Sequence, residues 1–157
     1  MATRPGRLHL KTTFEVLSLA RVETILGALR SEGANMAPAM REIATLGESF
    51  TRMHFRLQAG PDGKAWKPSL RARMTGGRTL IKSGMLRDSI SSGSNAQYAQ
   101  WGVNRTYAAI HQFGGNAGRG GKVKIPARPF LGISSAHQDE IATVLMRRLG
   151  KVMANAG

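Results

Sequence analysis

Met36, Met40, Ile43, Leu46, Phe50, Met53 and Leu57 follow one another at steps of 4, 3, 3, 4, 3 and 4. That spacing lays one apolar stripe along an α-helix of about six turns and is incompatible with a strand. It predicts a helix over 36–58, with Asn35 as N-cap, Pro38 tolerated in the first turn and Ala-Gly-Pro-Asp-Gly after its end. Gly47 lies beside the stripe, where it costs about 1 kcal/mol against alanine and lets a neighbouring element approach closely. His54 lies off the stripe and is expected to be solvated. A helix of this length needs other elements to cover its stripe.

The flanking patterns supply them. Leu8, Leu10, Thr12, Phe14 and Val16 alternate with polar residues and predict a strand over 7–16. Leu19, Val22, Ile25, Leu26 and Leu29 predict a helix from Ser18 to Arg30, ended by Ser31-Glu32-Gly33. Residues 59–82 read as a long basic loop, with Trp66, Pro68 and Leu70 among its cations. Residues 83–90 read as a short helix with Met85, Leu86 and Ile90 inward, followed by a turn over Ser91–Asn95. Ala99, Trp101 and Val103 mark a strand. The last helix, over 136–153, carries a capping box at Ser135-x-x-Gln138 with Asp139 and Glu140 in its first turn. Its stripe is Ile141, Leu145, Leu149 and Val152, with Arg147, Arg148 and Lys151 late. The expected fold is α+β: one domain over 1–157, a small, mainly antiparallel sheet packed by two long helices, with long basic loops and a flexible basic N-terminus over 1–6.

Residues 107–132 hold two apolar anchors, Tyr107–Phe113 and Ile125–Ile133, around a bridge over 114–122 that contains five glycines. So little side chain cannot offset the bridge's ordering entropy, so it is expected to be mobile until a partner holds it. The first anchor is compatible with a helical turn or an extended segment. In the second, Pro126 and Pro129 stiffen the backbone and push Ile125 and Arg128 toward extended geometry. A stiff segment beside a loose arm suits a binding surface.

Charge is concentrated in the centre. Residues 49–138 hold 14 Lys and Arg against Asp62 and Asp88, a net of +12 out of +14 for all 157 residues. Such asymmetry favours an anionic partner, either nucleic acid or an acidic protein face. Zero cysteines exclude disulfides and thiolate metal sites, and no apolar run reaches the roughly 18 residues of a membrane span.

Catalytic patterns fail one at a time. Two acids between Phe50 and Gln138 make a carboxylate dyad hard to build, and His9, His54, His111 and His137 lack metal-ligand spacing. The segment over 114–123 has Asn116 and Val123 where a phosphate loop requires glycine and Ser or Thr. No catalytic residue, cofactor or metal is expected. For Trp66, core anchor and interface residue are both open; for His111, an imidazole satisfied by nearby backbone is favoured over an interface contact. Arg128 suits an inter-subunit or nucleic-acid contact, with an intramolecular salt bridge as the alternative.

Several segments then stand in a telling order. They are Trp66…Pro68, Leu80-Ile81-x-Ser-Gly-x-Leu86-x-x-Ser-Ile90, Tyr107-Ala-Ala-Ile-His-Gln-Phe-Gly-Gly115 and Ile125-Pro-Ala-Arg-Pro-Phe-Leu-Gly132. Over residues 36–150 this resembles the phage virion morphogenesis (tail completion) family. Ser83 departs from the family's usual threonine, and the basic extension at 1–7 is unfamiliar. The resemblance implies a non-catalytic structural protein of the virion neck, assembled in the host cytoplasm and joining the tail to the DNA-filled head. Its implied partners are copies of itself in a ring, a hexamer for example, neighbouring connector and tail-tube proteins, and genomic DNA in the channel, with no membrane. Candidate assembly residues are Trp66, Tyr107, His111, Phe113, Arg128 and Phe130. Candidate DNA- or partner-facing cations are Lys64, Lys67, Arg71, Arg73, Arg78, Arg119, Lys122 and Lys124. A capsid-assembly factor and a sequence-independent DNA-binding protein are the alternative readings.

Overall fold

A computed structural model describes residues 17–155, with side chains from residue 23 onward. The strand expected over 7–16 lies outside these residues. The helix expected from Ser18 is α1 (Leu17–Ser31), and the long stripe forms α2 (Ala37–Leu57). The Asn35 side chain accepts a hydrogen bond from the Ala37 amide at 3.1 Å, although Met36 occupies the N-cap position itself.

α2 runs through two cores. Its stretch from the N-terminus to Phe50 joins α1 and the last helix, α6 (Ser135–Asn155), around Leu29, Met40, Ile43, Phe50, Ile141 and Leu145. Its C-terminal end enters a second core through Phe55, with Trp66, Leu86, Ile90, Val103, Ala108, Phe130 and Leu131. Phe55 and Phe130 are 0% exposed, and burying each such ring stabilises the fold by roughly 2–3 kcal/mol. The second core faces a different side of the helix, so the buried line passes through Gly47, Thr51, His54 and Phe55. Met53 and Leu57, expected inside, are exposed. Hydrophobicity alone selects those two. Thr51 and His54 are buried instead because each side chain reaches a backbone carbonyl, Gly47 O at 2.9 Å and Phe130 O at 2.8 Å.

The strands are antiparallel, as expected, and among the described residues they form two small sheets. β1 (Ile90–Ser94) and β2 (Ala99–Val103) pair antiparallel with Ile90 opposite Val103 and Ser94 opposite Ala99. The expected Ser91–Asn95 turn is therefore mostly strand. The turn itself is built by Asn95, whose side chain accepts from the amides of Gln97 and Tyr98. This hairpin packs on α2 where Gly47 stands, and a Cβ there would lie 2.0 Å from the Trp101 ring. The glycine is thus the contact point of helix and hairpin.

The basic segment over 59–82 is more ordered than a loop. Ser69 caps α3 (Leu70–Thr75) by accepting from the Ala72 amide at 3.1 Å, and Gly76 ends it in a left-handed conformation. α4 (Met85–Asp88) follows, with Leu86 buried as expected but Met85 exposed, since only one side of so short a helix meets the core. The first anchor is helical, α5 (Ala108–Phe113).

The glycine-rich bridge, expected to be loose, forms a second hairpin. β3 (Gly115–Ala117) pairs antiparallel with β4 (Val123–Ile125), joined through a 3-10 turn at Arg119–Gly121. Backbone bonds and left-handed glycines at the turn supply the order that side chains do not. The capping of α6 is shifted by one residue: the Ser134 hydroxyl accepts from the His137 amide, and His137 Nδ1 accepts from the Ser134 amide, both at 3.2 Å. Imidazole replaces the expected glutamine in the box. Asp139 and Glu140 consequently fall beyond the first turn, and the helix runs on to Asn155, past its late cations.

Candidate assembly site

The two motif segments are welded to each other by Gln112. This side chain, buried on α5, accepts from the amides of Phe130 and Leu131 at 3.0 Å each and donates to Leu131 O at 2.9 Å. Beside it, the Arg128 amide donates to His111 O at 2.7 Å. Pro126 and Pro129 have no amide to leave unpaired, so the N–H groups of the segment that need partners find them here. Gly114 makes the return possible. With φ of 72°, its absent Cβ would sit 2.7 Å from the Ala127 amide nitrogen.

Two further donors clamp the segment from the far side. Trp66 Nε1 donates to Pro129 O at 2.8 Å, and His54 Nδ1 meets Phe130 O at 2.8 Å. A carbonyl only accepts, so Nδ1 of His54 carries the proton. Burial holds this histidine below its ordinary value, against the upward pull of that bond. His54 is therefore a buried support and not the solvated residue expected.

The candidate residues separate accordingly. Trp66 and Phe130 are buried in the second core, while Tyr107 and Phe113 are exposed, at 39% and 62%. Arg128 is 5% exposed and makes no intramolecular salt bridge among the described residues. Its Nε donates to Lys67 O at 2.6 Å, and burial lowers its affinity for the proton. His111 is half-buried, and its Nδ1 is buried without a hydrogen-bond partner, so the expected backbone partner is absent at that nitrogen. Burial, and then the charge of Arg128, hold His111 below its ordinary value.

The cations differ as well. Arg71 donates to Arg78 O at 2.5 Å and to Ile81 O, and Arg78 donates to Arg56 O and Phe55 O at the end of α2. Gln58 closes the same segment, accepting from the Thr79 amide at 2.6 Å and donating to Thr79 O and Phe55 O. These arginines act as braces. Lys64 pairs with Asp62 at 3.5 Å on the surface. Lys67, Arg73, Arg119, Lys122 and Lys124 are exposed and belong to none of the ion pairs among the described residues. Leu70 and Met74 are exposed on α3 at 64% and 77%, and Val123 on β4 at 53%.

Sequence reasoning missed Gln112, Gln58 and His54. The available signal was a polar residue inside an apolar run, Ile110-His-Gln-Phe113, which has to find partners once buried. Among the described residues no group of three His, Cys, Asp or Glu is placed to hold a metal, and no helix is long and apolar enough to cross a membrane. The arrangement presents exposed cations and apolar side chains on a hydrogen-bonded frame.

The family model described as the phage virion morphogenesis family matches residues 17–150, extending the resemblance into α1. The Mu-like prophage FluMu G protein 2 of Haemophilus influenzae is 39% identical over 127 residues, 81% of this chain and 88% of that one. The putative capsid assembly protein G of Escherichia phage Mu is 33% identical over 115 residues, 67% of this chain and 74% of the other. No solved structure matches. With its two motif segments joined through Gln112 and the family model spanning every described element from α1 into α6, the chain belongs to the phage virion morphogenesis family.

Proposed function

We propose that this protein acts at the head–tail junction as a tail-completion or neck component, joining the tail to the DNA-filled head without making or breaking a covalent bond. The observation that carries this reading is the family match over residues 17–150, which makes the chain a virion morphogenesis protein. The surface supports the finer role. Exposed cations at Lys67, Arg73, Arg119, Lys122 and Lys124, outside every ion pair among the described residues, stand beside exposed Leu70, Met74 and Val123, a mixture suited to protein contacts around a channel that holds a polyanion. Copies arranged in a closed ring, each offering its β3–β4 hairpin to a neighbour, would use a heterologous interface.

The test is electron microscopy of lysates from phage lacking the gene. Full heads and complete tails that remain unjoined are the expected outcome. Normally joined virions would refute the proposal. The Mu relative's name, putative capsid assembly protein G, favours a second reading, a role in building the head. Absent or misshapen heads in the same lysates would select it.

A further inference from the structure

Arg128 brings a positive charge below the surface, and the described chain sets no negative charge against it. It is 5% exposed and takes part in none of the ion pairs among the described residues. Nε is committed to Lys67 O, whereas the two Nη nitrogens donate to no described residue. Next to it, His111 holds Nδ1 buried without a partner. Tyr107, 39% exposed, stands edge-on to His111 with ring centroids 6.1 Å apart and brings this corner of α5 to the surface. The Nη atoms are not among the described side-chain atoms buried without a partner, so the fork is recessed without being stranded, and no described carboxylate answers its charge.

We propose that Arg128 is the seat of an intermolecular ion pair: on assembly it receives a carboxylate side chain from an acidic partner protein, with Tyr107 and His111 as the rim of the seat. This rests on reading the chain as an assembly protein. A guanidinium presents a planar fork that matches a carboxylate with two parallel bonds. An Asp or Glu side chain is slim enough to reach a recessed fork. A duplex phosphate is carried on a stiff, convex backbone and is met by cations that extend outward. A different, acidic protein is favoured over a second copy for two reasons. Each copy carries +14, and four of its nine acidic residues, Glu42, Glu48, Asp62 and Asp88, are already paired within the chain.

Labelled hexaglutamate is the probe, with hexaglutamine and a 12-base-pair duplex at equal ionic strength as comparisons. Fluorescence anisotropy is expected to show hexaglutamate binding that weakens about tenfold in Arg128→Gln, the loss of one bidentate charged contact, and much less in Lys67→Gln. In the wild-type protein, hexaglutamate should move the His111 ring signals in NMR saturably, and hexaglutamine should leave them in place. Should Arg128→Gln prove unfolded by circular dichroism, Arg128→Lys, which keeps the charge but loses the fork, and the His111 signals carry the test. Equal affinity of wild type and a folded Arg128 variant, or unmoved His111 signals, would overturn the proposal. So would His111 shifts produced by the duplex alone, or self-association that vanishes in the Arg128 variant, since these identify a phosphate or a second copy as occupant. The joining phenotype of phage lacking the gene is scored separately, so failure here and failure of the junction role are distinguishable.

Discussion

At the scale of single residues, the fold depends on polar side chains that take over backbone hydrogen bonds. Gln112 satisfies two amides and a carbonyl in the 125–132 segment, where two prolines prevent regular pairing. Replacing it with leucine preserves volume and apolar character but strands those groups in the second core. Loss of about 3 kcal/mol is expected for Gln112→Leu, given roughly 1–3 kcal/mol for each unsatisfied buried group with partial relaxation. Urea unfolding midpoints measure it, and a variant as stable as wild type would show that the weld is dispensable. The histidines add a pH dependence. Burial is the leading cause of the lowered values of His54, His111 and His137, with the charge of Arg128 adding to it at His111 and that of His54 at His137. A histidine depressed in the folded state binds its proton more readily when unfolded. Stability is therefore fully present above the ordinary 6.5 and falls as pH drops below it toward the depressed folded values. Each histidine contributes a slope of at most about 1.4 kcal/mol per pH unit in that window. Chemical denaturation at pH 7.5 and 5.0 should show a clear loss at the lower pH, reduced in His137→Gln, where glutamine can still serve the α6 cap.

Elements differ in how far their sequences disclose them. The stripes of α1, α2 and α6, and the alternation of Ala99, Trp101 and Val103, arise from side-chain burial, which sequence periodicity records. Ser91-Ser-Gly-Ser94 and Gly115-Asn-Ala117 have no such pattern, because their order comes from backbone pairing with a partner strand. The motif segments at 107–115 and 125–132 were legible as two anchors. Their union was not, since a hydrogen bond from a side chain to a distant carbonyl leaves no spacing rule in the chain. The β3–β4 hairpin gives a prediction at this scale. Gly115 stands opposite Ile125, while the weld beneath it uses Gln112, Arg128, Phe130 and Leu131. Substituting Asn116–Lys124 by Asn-Gly, a two-residue turn suited to antiparallel strands, should close the stem without touching that weld. The shortened protein is expected to keep its melting temperature and circular dichroism but fail to restore infectious particles in complementation. An unfolded product would make the hairpin part of the structural frame.

On the scale of the whole molecule, charge is the property that no single element explains. Outside the ion pairs, the fold divides the described cations into two populations: arginines such as Arg71 and Arg78 that brace carbonyls, and exposed cations such as Lys67, Arg73, Arg119, Lys122 and Lys124 that brace nothing described. The second population can neutralise phosphates, and its contribution follows counterion release, with the logarithm of affinity falling by about 0.9 per phosphate contacted for each tenfold rise in salt. If genomic DNA passes this surface in the neck, the isolated protein should retain a random duplex in a gel shift at low salt. Three or four contacts would give a slope of about −3, shallow beside a dedicated DNA-binding protein, and the slope should be the same for unrelated sequences. Replacing Lys122 and Lys124 with glutamine should weaken retention and lower the slope by about two, whereas Arg78→Gln should act mainly through stability. A slope unchanged by the lysine pair would move the DNA-facing surface off the hairpin. Complete absence of retention at low salt would leave protein partners as the counterpart of the basic centre, which is the chemistry that Arg128, outside every ion pair among the described residues, already favours.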